Sequence, residues 1–244
     1  DGIRDTSVTG VQTCALPILL KLDATRKDSY PGTGTTWYDM SGNQQYATAS
    51  SVDYSSSQGG SFRFDGTTNP FTIINPITQL KSIQTEFSIC GWVNYNTMSS
   101  PWRVFNIFNQ AGYSYQGAQA KRLMIVRTGS TNNLAYETTE SLNDGLTTVV
   151  CSKIVPADIN QWIYVGVTVQ NYPYLTCTLF INDYFETGIT DRPIGPKNID
   201  KPIFIGQGDP LNNSRISQVL FYNRPLSIFE HIQNYNSRRG LYYS

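Results

Sequence analysis

The stretch Gln161–Asp183, QWIYVGVTVQNYPYLTCTLFIND, decides the fold that the sequence predicts. On both sides of a short polar turn, apolar residues alternate with small or polar residues, which is the period of antiparallel strands. The segment closes on Asn182-Asp183, two residue types that tolerate the backbone angles of a tight hairpin turn. It therefore predicts two neighbouring strands and a hairpin that leads into a third.

The segment Glu86–Tyr95, EFSICGWVNY, predicts a central strand. Phe87 and Ile89 would lie on one face of this strand, and Cys90 and Trp92 on the other. Apolar residues on both faces indicate that the strand is covered on both sides.

Other segments show the same short apolar alternation between Gly, Pro, Asn and Ser clusters, at intervals of about 8–12 residues, as in β-sandwiches. We expect further strands at Leu19–Leu22, Ser61–Gly66, Phe71–Asn75, Arg103–Asn109, Arg122–Arg127, Leu134–Thr138, Leu146–Lys153, Pro202–Gly206 and Arg215–Tyr222.

One helix is expected near the C-terminus. Ser227 followed by Glu230 is a capping-box pattern. Ile228, Ile232 and Tyr235 share one face of that helix and predict its buried side. The predicted fold class is all-β: a two-sheet antiparallel jelly-roll sandwich with one short C-terminal helix.

Composition excludes several classes of protein. The 244 residues include 18 basic and 18 acidic ones, so there is no basic excess for a nucleic-acid partner. No run approaches the roughly 18 apolar residues of a membrane span. We find no internal repeat and no linker-like change of composition within 19–244, and we expect that segment to be a single domain.

Residues 1–18, DGIRDTSVTGVQTCALPI, differ from the rest of the chain. They resemble the translated read-through of a sequencing adapter, a contaminant of metagenome-assembled reading frames. The basic region, long apolar core and cleavage site of a secretory signal are missing from them. We expect 1–18 to be a non-native, unpacked segment.

The cysteines lack the C-x-x-C spacing of a thiolate metal site. Cys90 and Cys177 lie in apolar strand patterns, where a free cysteine behaves as a small hydrophobic residue. A disulfide of Cys177 with either Cys90 or Cys151 stays open, since spacing alone cannot assign partners.

Taken in order, several segments resemble the laminin-G-like, concanavalin A-like lectin and glucanase jelly-roll superfamily. They are LLKLDA followed by SYPGTGTTWYDMSGN, then SFRFDG, FSICGWV, NQWIYVGVTV, LFIND and YNRPLS-x-x-E. The resemblance spans nearly all of 19–244 and implies the jelly roll. It is greatest to members encoded by phages, large viruses and environmental bacteria. Because this superfamily contains lectins, enzymes and adhesive modules, the resemblance does not fix a function.

The residues argue against catalysis. Glucanases of the superfamily carry a Glu-x-Asp-x-x-Glu string, because glycoside cleavage needs two facing carboxyl groups. That string is missing here, and Glu137 and Glu140, three residues apart, would point to opposite faces of a strand. His231 is the single histidine, and we expect it at the helix surface. We predict a protein that is not an enzyme and requires no cofactor.

Structural calcium is the one metal that the resemblance implies, because jelly-roll relatives often hold Ca²⁺ with carboxylate and carbonyl oxygens. The candidate ligands are Asp65 in the FDG turn and, in GQGDPLNN, Asp209, Asn212 and Asn213. Relatives often have Ile-Asp-Glu-Val in the penultimate strand, where this chain has Ile216-Ser217-Gln218-Val219. Asp65 and Asp209 are also ordinary turn formers, and that alternative is favoured.

Sugar binding needs an aromatic platform for the ring and polar groups for its hydroxyls. Three predicted loops carry such residues, which could instead fold back over the sandwich edge. The candidates are Trp102, then Tyr113, Tyr115, Gln116 and Arg122, and finally Tyr172 and Tyr174.

The sequence therefore predicts a non-catalytic recognition module whose rim loops bind carbohydrate. The alternative is a structural protein-interaction module, such as a virion decoration or fibre domain, that binds no sugar. The expected partner is a glycan or a surface protein. An extracellular or virion-associated location, within a larger protein, is favoured.

Overall fold

The structure is a computed structural model, and it describes residues 18–65, 70–83, 86–95, 104–111, 120–128, 131–139, 147–154, 161–170, 175–190, 197–198, 201–208 and 213–243. The strands are β1 Ile18–Asp23, β2 Thr36–Tyr38, β3 Tyr46–Thr48, β4 Tyr54–Ser55, β5 Ser61–Phe64, β6 Phe71–Ile73, β7 Ser82–Ile83, β8 Glu86–Asn94, β9 Val104–Ala111, β10 Ala120–Thr128, β11 Thr131–Thr139, β12 Thr147–Ile154, β13 Trp162–Gln170, β14 Leu175–Ile181, β15 Tyr184–Thr190, β16 Lys197–Asn198, β17 Ile203–Ile205, β18 Gln207–Gly208 and β19 Ser214–Tyr222. The helices are α1 Thr78–Lys81, α2 Ile228–Asn236 and α3 Arg239–Tyr242, with a 3₁₀ turn at Ser57–Gly59.

Two antiparallel sheets form the sandwich. The first sheet has the strand order β15-β14-β13-β8-β19-β5-β4, and β1 also pairs with β19. The second sheet has the order β12-β11-β10-β9-β17-β6-β3-β2, and β18 also pairs with β9. A short pair, β7 with β16, stands apart. The predicted all-β, two-sheet antiparallel sandwich with a C-terminal helix is confirmed.

The main core lies between the two sheets. Its largest members are buried aromatic residues from both sheets. Phe221 of the first sheet lies 5.5 Å from Phe108 of the second, between ring centroids. Phe87 and Tyr136 make a similar contact across the sheets at 5.9 Å. These contacts hold the sheets face to face at the usual sandwich spacing.

Strand β8 is buried on both faces, as predicted. Phe87 and Ile89 belong to the core between the sheets. Cys90 and Trp92 belong to a second cluster on the opposite face of the first sheet. The C-terminal helices cover that second cluster, because Tyr235 and Tyr242 pack on Trp92 at 5.7 and 4.4 Å between ring centroids.

The hairpin predicted at Asn182-Asp183 is confirmed. Ile181 pairs with Tyr184, so the turn contains two residues. Asn182 adopts a positive φ of 56°, which its short polar side chain tolerates. The side-chain Oδ1 of Asn182 accepts a hydrogen bond of 2.9 Å from the backbone N–H of Tyr164.

The capping box is confirmed at the start of α2. The Ser227 hydroxyl accepts from the Glu230 N–H, and the Glu230 carboxylate accepts from the Ser227 N–H at 2.8 Å. The predicted buried face is confirmed at Tyr235, which packs on Trp92, and is wrong at Ile228, which is 42% exposed. His231, expected at the surface, is fully buried against the first sheet.

Two of the cysteines differ in their oxidation state in the structure. Cys90 is a buried free thiol, and Cys177 is disulfide-bonded. A Cys90–Cys177 disulfide is therefore wrong, and the pairing of Cys177 with Cys151 stays a prediction. The burial of Cys90 raises the pKa of its thiol to about 12.

Strand β1 begins at Ile18, which pairs with Tyr222, one residue before the predicted start of the domain. Residues 1–17 lie outside the described residues. In the described part of the chain, no helix is long and apolar enough to cross a membrane.

Candidate functional site

The outer face of the second sheet carries a group of polar side chains that we call the amide cluster: Asn106, Asn109, Arg122 and Gln207. Asn106 and Asn109 lie on β9, Arg122 on the neighbouring β10, and Gln207 on β18. The two asparagines are only 9% and 7% exposed, although they lie on the face away from the core. Such burial of amides outside the core distinguishes this place from ordinary sheet surface.

A β-bulge brings the two asparagines onto one face. Residues three apart in a regular strand point to opposite faces. In β9, however, Leu123 of β10 pairs with Phe108 and the next residue, Met124, pairs with Asn106. The extra residue, Ile107, and Phe108 are both fully buried in the core. The bulge thus sends two consecutive residues inward and leaves both amides outside.

Hydrogen bonds connect the members of the cluster. The Nε of Arg122 donates to Oδ1 of Asn109 at 3.1 Å. The Nδ2 of Asn109 donates to Oε1 of Gln207. The Nδ2 of Asn106 donates to the backbone carbonyl of Gln207 at 3.1 Å. These bonds fix which end of each amide is the donor and hold the side chains in place.

One acceptor of the cluster has no partner. The Oδ1 of Asn106 is buried and accepts no hydrogen bond within the described part of the chain. Its Nδ2 is held by Gln207, so turning the amide over would lose that bond. A buried acceptor without a donor costs about 1–3 kcal/mol, a cost that a bound hydroxyl group can remove.

Gly206 positions Gln207 in the cluster. Its φ of 77° lies in the left-handed region, and a Cβ there would lie 2.2 Å from the Phe64 ring. The Gly206 N–H also donates to the Asn106 carbonyl at 3.0 Å. Strands β17 and β18 both pair with β9 in one register, so the chain stays beside β9 through Gly206, and the missing Cβ leaves room for the Phe64 ring.

Most of the predicted sugar-binding residues lie outside the described residues: Trp102, Tyr113, Tyr115, Gln116, Tyr172 and Tyr174. Arg122 is described and belongs to the amide cluster. Sequence reasoning missed Asn106, Asn109 and Gln207, since the bulge that gathers them leaves no signal in the alternation of β9. Residues 112–119 connect β9 to β10, which are the strands that carry most of the cluster.

The calcium candidates are partly described. Asp209 and Asn212 lie outside the described residues. Asp65 and Asn213 both lie near the guanidinium of Arg63, at 3.8 Å from Nη2 and 3.3 Å from Nη1 respectively. Asp53 pairs with the same guanidinium at 2.5 Å. The described residues contain no group of three or more His, Cys, Asp or Glu side chains that could hold a metal ion.

His231 occupies a structural position. Its Nδ1 lies 2.8 Å from the Tyr164 hydroxyl, and its Nε2 lies 2.9 Å from the Thr168 hydroxyl. Burial lowers the pKa of the imidazole to about 3, because the charged form would lose its hydration. The ring is enclosed between α2 and the first sheet, on the opposite side of the sandwich from the amide cluster.

The comparisons with known proteins identify the fold. No family model matches the chain, and no curated protein matches it. Among solved structures, the chain is similar to the botulinum neurotoxin serotype D binding domain at a TM-score of 0.68 and 16% identity, over 91% of this chain and 51% of that one.

Two further solved structures are similar. The binding domain of botulinum neurotoxin DC in complex with SialylT gives a TM-score of 0.66 and 16% identity, over 93% of this chain and 52% of that one. The type G receptor-binding domain gives 0.63 and 14%, over 90% and 51%. The chain spans about half the length of these proteins. At such identities the likeness shows the fold alone, a β-sandwich shared with binding domains.

Proposed function

We propose that the chain is a non-catalytic recognition module that binds carbohydrate at the amide cluster. The observation that carries this proposal is the buried, unpartnered Oδ1 of Asn106 beside the hydrogen-bonded amides of Asn109 and Gln207. This oxygen is fully covered, so a sugar hydroxyl would donate to it and complete the network only after a side chain of the cluster moves aside. The hydrogen-bonded amides of Asn109 and Gln207 are already held in place, which lowers the entropic cost of binding to them.

The chemistry of the cluster suits a sugar. An amide offers both donors and acceptors, as neighbouring sugar hydroxyls do, and the Arg122 guanidinium holds the Asn109 amide in place. The aromatic platform would come from Tyr113 and Tyr115 in the connection between β9 and β10, with Gln116 beside them. Trp102, just before β9, and Tyr172 and Tyr174, between β13 and β14, are the other stacking candidates.

A binding role without catalysis fits the titratable groups. The sequence lacks the paired-carboxylate string of the glucanases. The single histidine is buried and engaged by Tyr164 and Thr168 at both ring nitrogens. Neither feature offers an acid and base pair to a substrate in the amide cluster.

The similar structures support a glycan as the ligand class. The serotype D ligand-binding domain was solved with N-acetylneuraminic acid, and the DC binding domain with SialylT. Those ligands belong to chains about twice as long, and the likeness does not assign them to the matched half. We further propose that this β-sandwich is of the laminin-G-like type and forms part of a larger extracellular or virion protein.

A glycan array with the full chain, in calcium and in EDTA, tests the proposal. We expect selective binding that Asn109→Ala lowers at least tenfold and Tyr113→Ala also weakens. Asn109→Ala should also lower Tm, because its buried amide is hydrogen-bonded to Arg122 and Gln207, so far-UV circular dichroism checks that each variant is folded at the temperature of the array. Thr178→Ala is the matched control, because Thr178 is half-buried and hydrogen-bonded to Thr187 on the other sheet, and it should leave binding unchanged.

A protein-interaction module is the second candidate. Phe229 and Ile228 at the start of α2 are 66% and 42% exposed, and Phe185 on the edge strand β15 is 41% exposed. Large apolar residues exposed in this way favour a protein partner. A blank array from a well-folded chain would overturn the carbohydrate proposal and favour this candidate. Binding that is indifferent to Asn109→Ala would move the sugar site away from the amide cluster.

A further inference from the structure

His231 fastens α2 to the first sheet. Its ring is fully buried and stacks on Phe180, with 3.7 Å between ring centroids and 16° between planes. Gly166 on β13 leaves room for it, since a Cβ at that position would lie 2.9 Å from Cε1 of His231. The imidazole therefore fills a slot made by a glycine and a phenyl ring.

The hydrogen bonds around His231 define its protonation. The Leu226 N–H donates to the Ser88 hydroxyl at 2.8 Å, and the Thr168 hydroxyl donates to the Leu226 carbonyl at 3.1 Å. Because its single proton is used in that bond, the Thr168 oxygen must accept from Nε2–H of His231 and from the Ser88 hydroxyl at 2.9 Å. The Nδ1 then accepts from the Tyr164 hydroxyl. This arrangement of donors and acceptors holds a neutral imidazole with its proton on Nε2.

A second proton on Nδ1 would force the Tyr164 hydroxyl to turn its own proton away and become the acceptor. The imidazolium would also carry a charge in a site that is fully buried beside Phe180. Burial lowers the pKa of His231 to about 3, against the smaller opposing effect of Glu230, which is itself paired with Arg224. The other titratable or charged groups on the packed elements are Tyr164 on β13, Cys90 on β8, Tyr222 on β19, and the Asp23–Arg238 pair.

We propose that α2 is an acid-released cover: protonation of His231 detaches this helix from the first sheet while the β-sandwich stays folded. The detached helix would uncover the part of the second apolar cluster that α2 covers, which includes Cys90 under Asn234 and one side of Trp92 under Tyr235. The sandwich core is a separate cluster on the other side, between the sheets. This inference is independent of the sugar-binding proposal.

The direction with pH follows from the lowered pKa. The docked helix binds fewer protons at His231 than the detached helix, whose imidazole titrates near 6.5. Docking is therefore strongest above pH 6.5 and weakens as the pH falls towards 3, by about tenfold in the docking equilibrium per pH unit. At pH 5 the detached fraction should be roughly 30-fold larger than at neutral pH.

Cys90 provides the readout, because its thiol lies under α2, 3.8 Å from Nδ2 of Asn234. The full chain is treated with a pyridyl disulfide between pH 4.5 and 7.5, and modification of the Cys90 peptide is followed by mass spectrometry. Each rate is divided by that of glutathione at the same pH. We expect the corrected rate to rise about 30-fold from pH 7.5 to 5, while far-UV circular dichroism keeps its β signal.

His231→Gln is the decisive variant, since glutamine donates and accepts hydrogen bonds but does not titrate in this range. Its corrected Cys90 rate should be nearly independent of pH. A wild-type rate that does not change with pH would overturn the proposal, as would loss of the β signal together with the rise. An equal acid response in His231→Gln would also overturn it, because the response would then come from a group other than His231.

Discussion

Arg238 forms an ion pair with Asp23, a residue 215 positions earlier in the chain. Asp23 ends β1 and is fully buried, and Arg238 follows α2 with its side chain 17% exposed. The carboxylate also accepts from the Thr25 hydroxyl at 2.7 Å and from Gln218 at 3.2 Å. This pair joins the first strand of the domain to its C-terminal helices.

Arg238→Met should destabilise the protein by about 3 kcal/mol, because it leaves the carboxylate of Asp23 buried without its cation. The Thr25 and Gln218 bonds should prevent a larger loss. Urea unfolding at pH 7 measures the change. The double variant Asp23→Asn with Arg238→Met should recover part of the loss, and simple additivity of the two single changes would contradict the pairing argument.

Gly91→Ala should cost about 3 kcal/mol or more, since the new Cβ would lie 2.2 Å from the backbone carbonyl oxygen of Gln218. That oxygen belongs to the neighbouring strand β19 and cannot move without breaking the pairing with β8. Gly240→Ala is the matched control, because nothing lies within 4 Å of its Cβ position. Within α3 it should be neutral or stabilise by up to about 1 kcal/mol. Thermal unfolding compares the two variants, and equal losses would contradict the steric explanation.

The strands could be predicted from the sequence because the alternation of apolar and polar residues along a strand depends only on which of its faces is buried. Glu86–Tyr95 and the hairpin at Asn182 carry clear period-two patterns, and the structure has both elements there. The amide cluster could not be predicted, since it depends on the bulge at Ile107 and on the pairing of β18 with β9 after the positive φ of Gly206. Both are features of pairing between strands that are distant in sequence.

Helix α2 shows that the capping motif in the sequence predicts where a helix starts more reliably than the apolar stripe predicts its buried face. The capping box at Ser227 fixed where α2 starts, since that motif involves only residues of the helix itself. The apolar stripe of Ile228, Ile232 and Tyr235 was right at Tyr235 but placed the exposed Ile228 inward and left out the buried His231. The sheet surface beneath α2 offers Thr168, Ser88 and the bare backbone of Gly166, which accommodate the imidazole of His231.

Structural calcium at Asp65 and Asn213 is a proposal with a specific competitor. The Arg63 guanidinium lies beside both residues, so a bound ion would have to displace it. We expect calcium to raise Tm only at concentrations on the order of millimolar. Arg63→Gln should strengthen the response, and Asp65→Asn should abolish it. The site would be excluded if each of the three proteins, the wild type, Arg63→Gln and Asp65→Asn, had the same melting curve in calcium as in EDTA.

Cys177 should pair with Cys151. Cys177 is disulfide-bonded and Cys90 is a free thiol. Strand β12, which carries Cys151, runs close to β14, which carries Cys177, although the two strands belong to different sheets. A bond between them would tie the sheets together along one edge, and its reduction should destabilise the protein by about 3 kcal/mol. Peptide mapping without reductant identifies the pair, and urea unfolding with and without reductant measures the loss. Cys90→Ser is the control that should keep the bridge, whereas a peptide that links Cys177 to Cys14 would contradict this assignment.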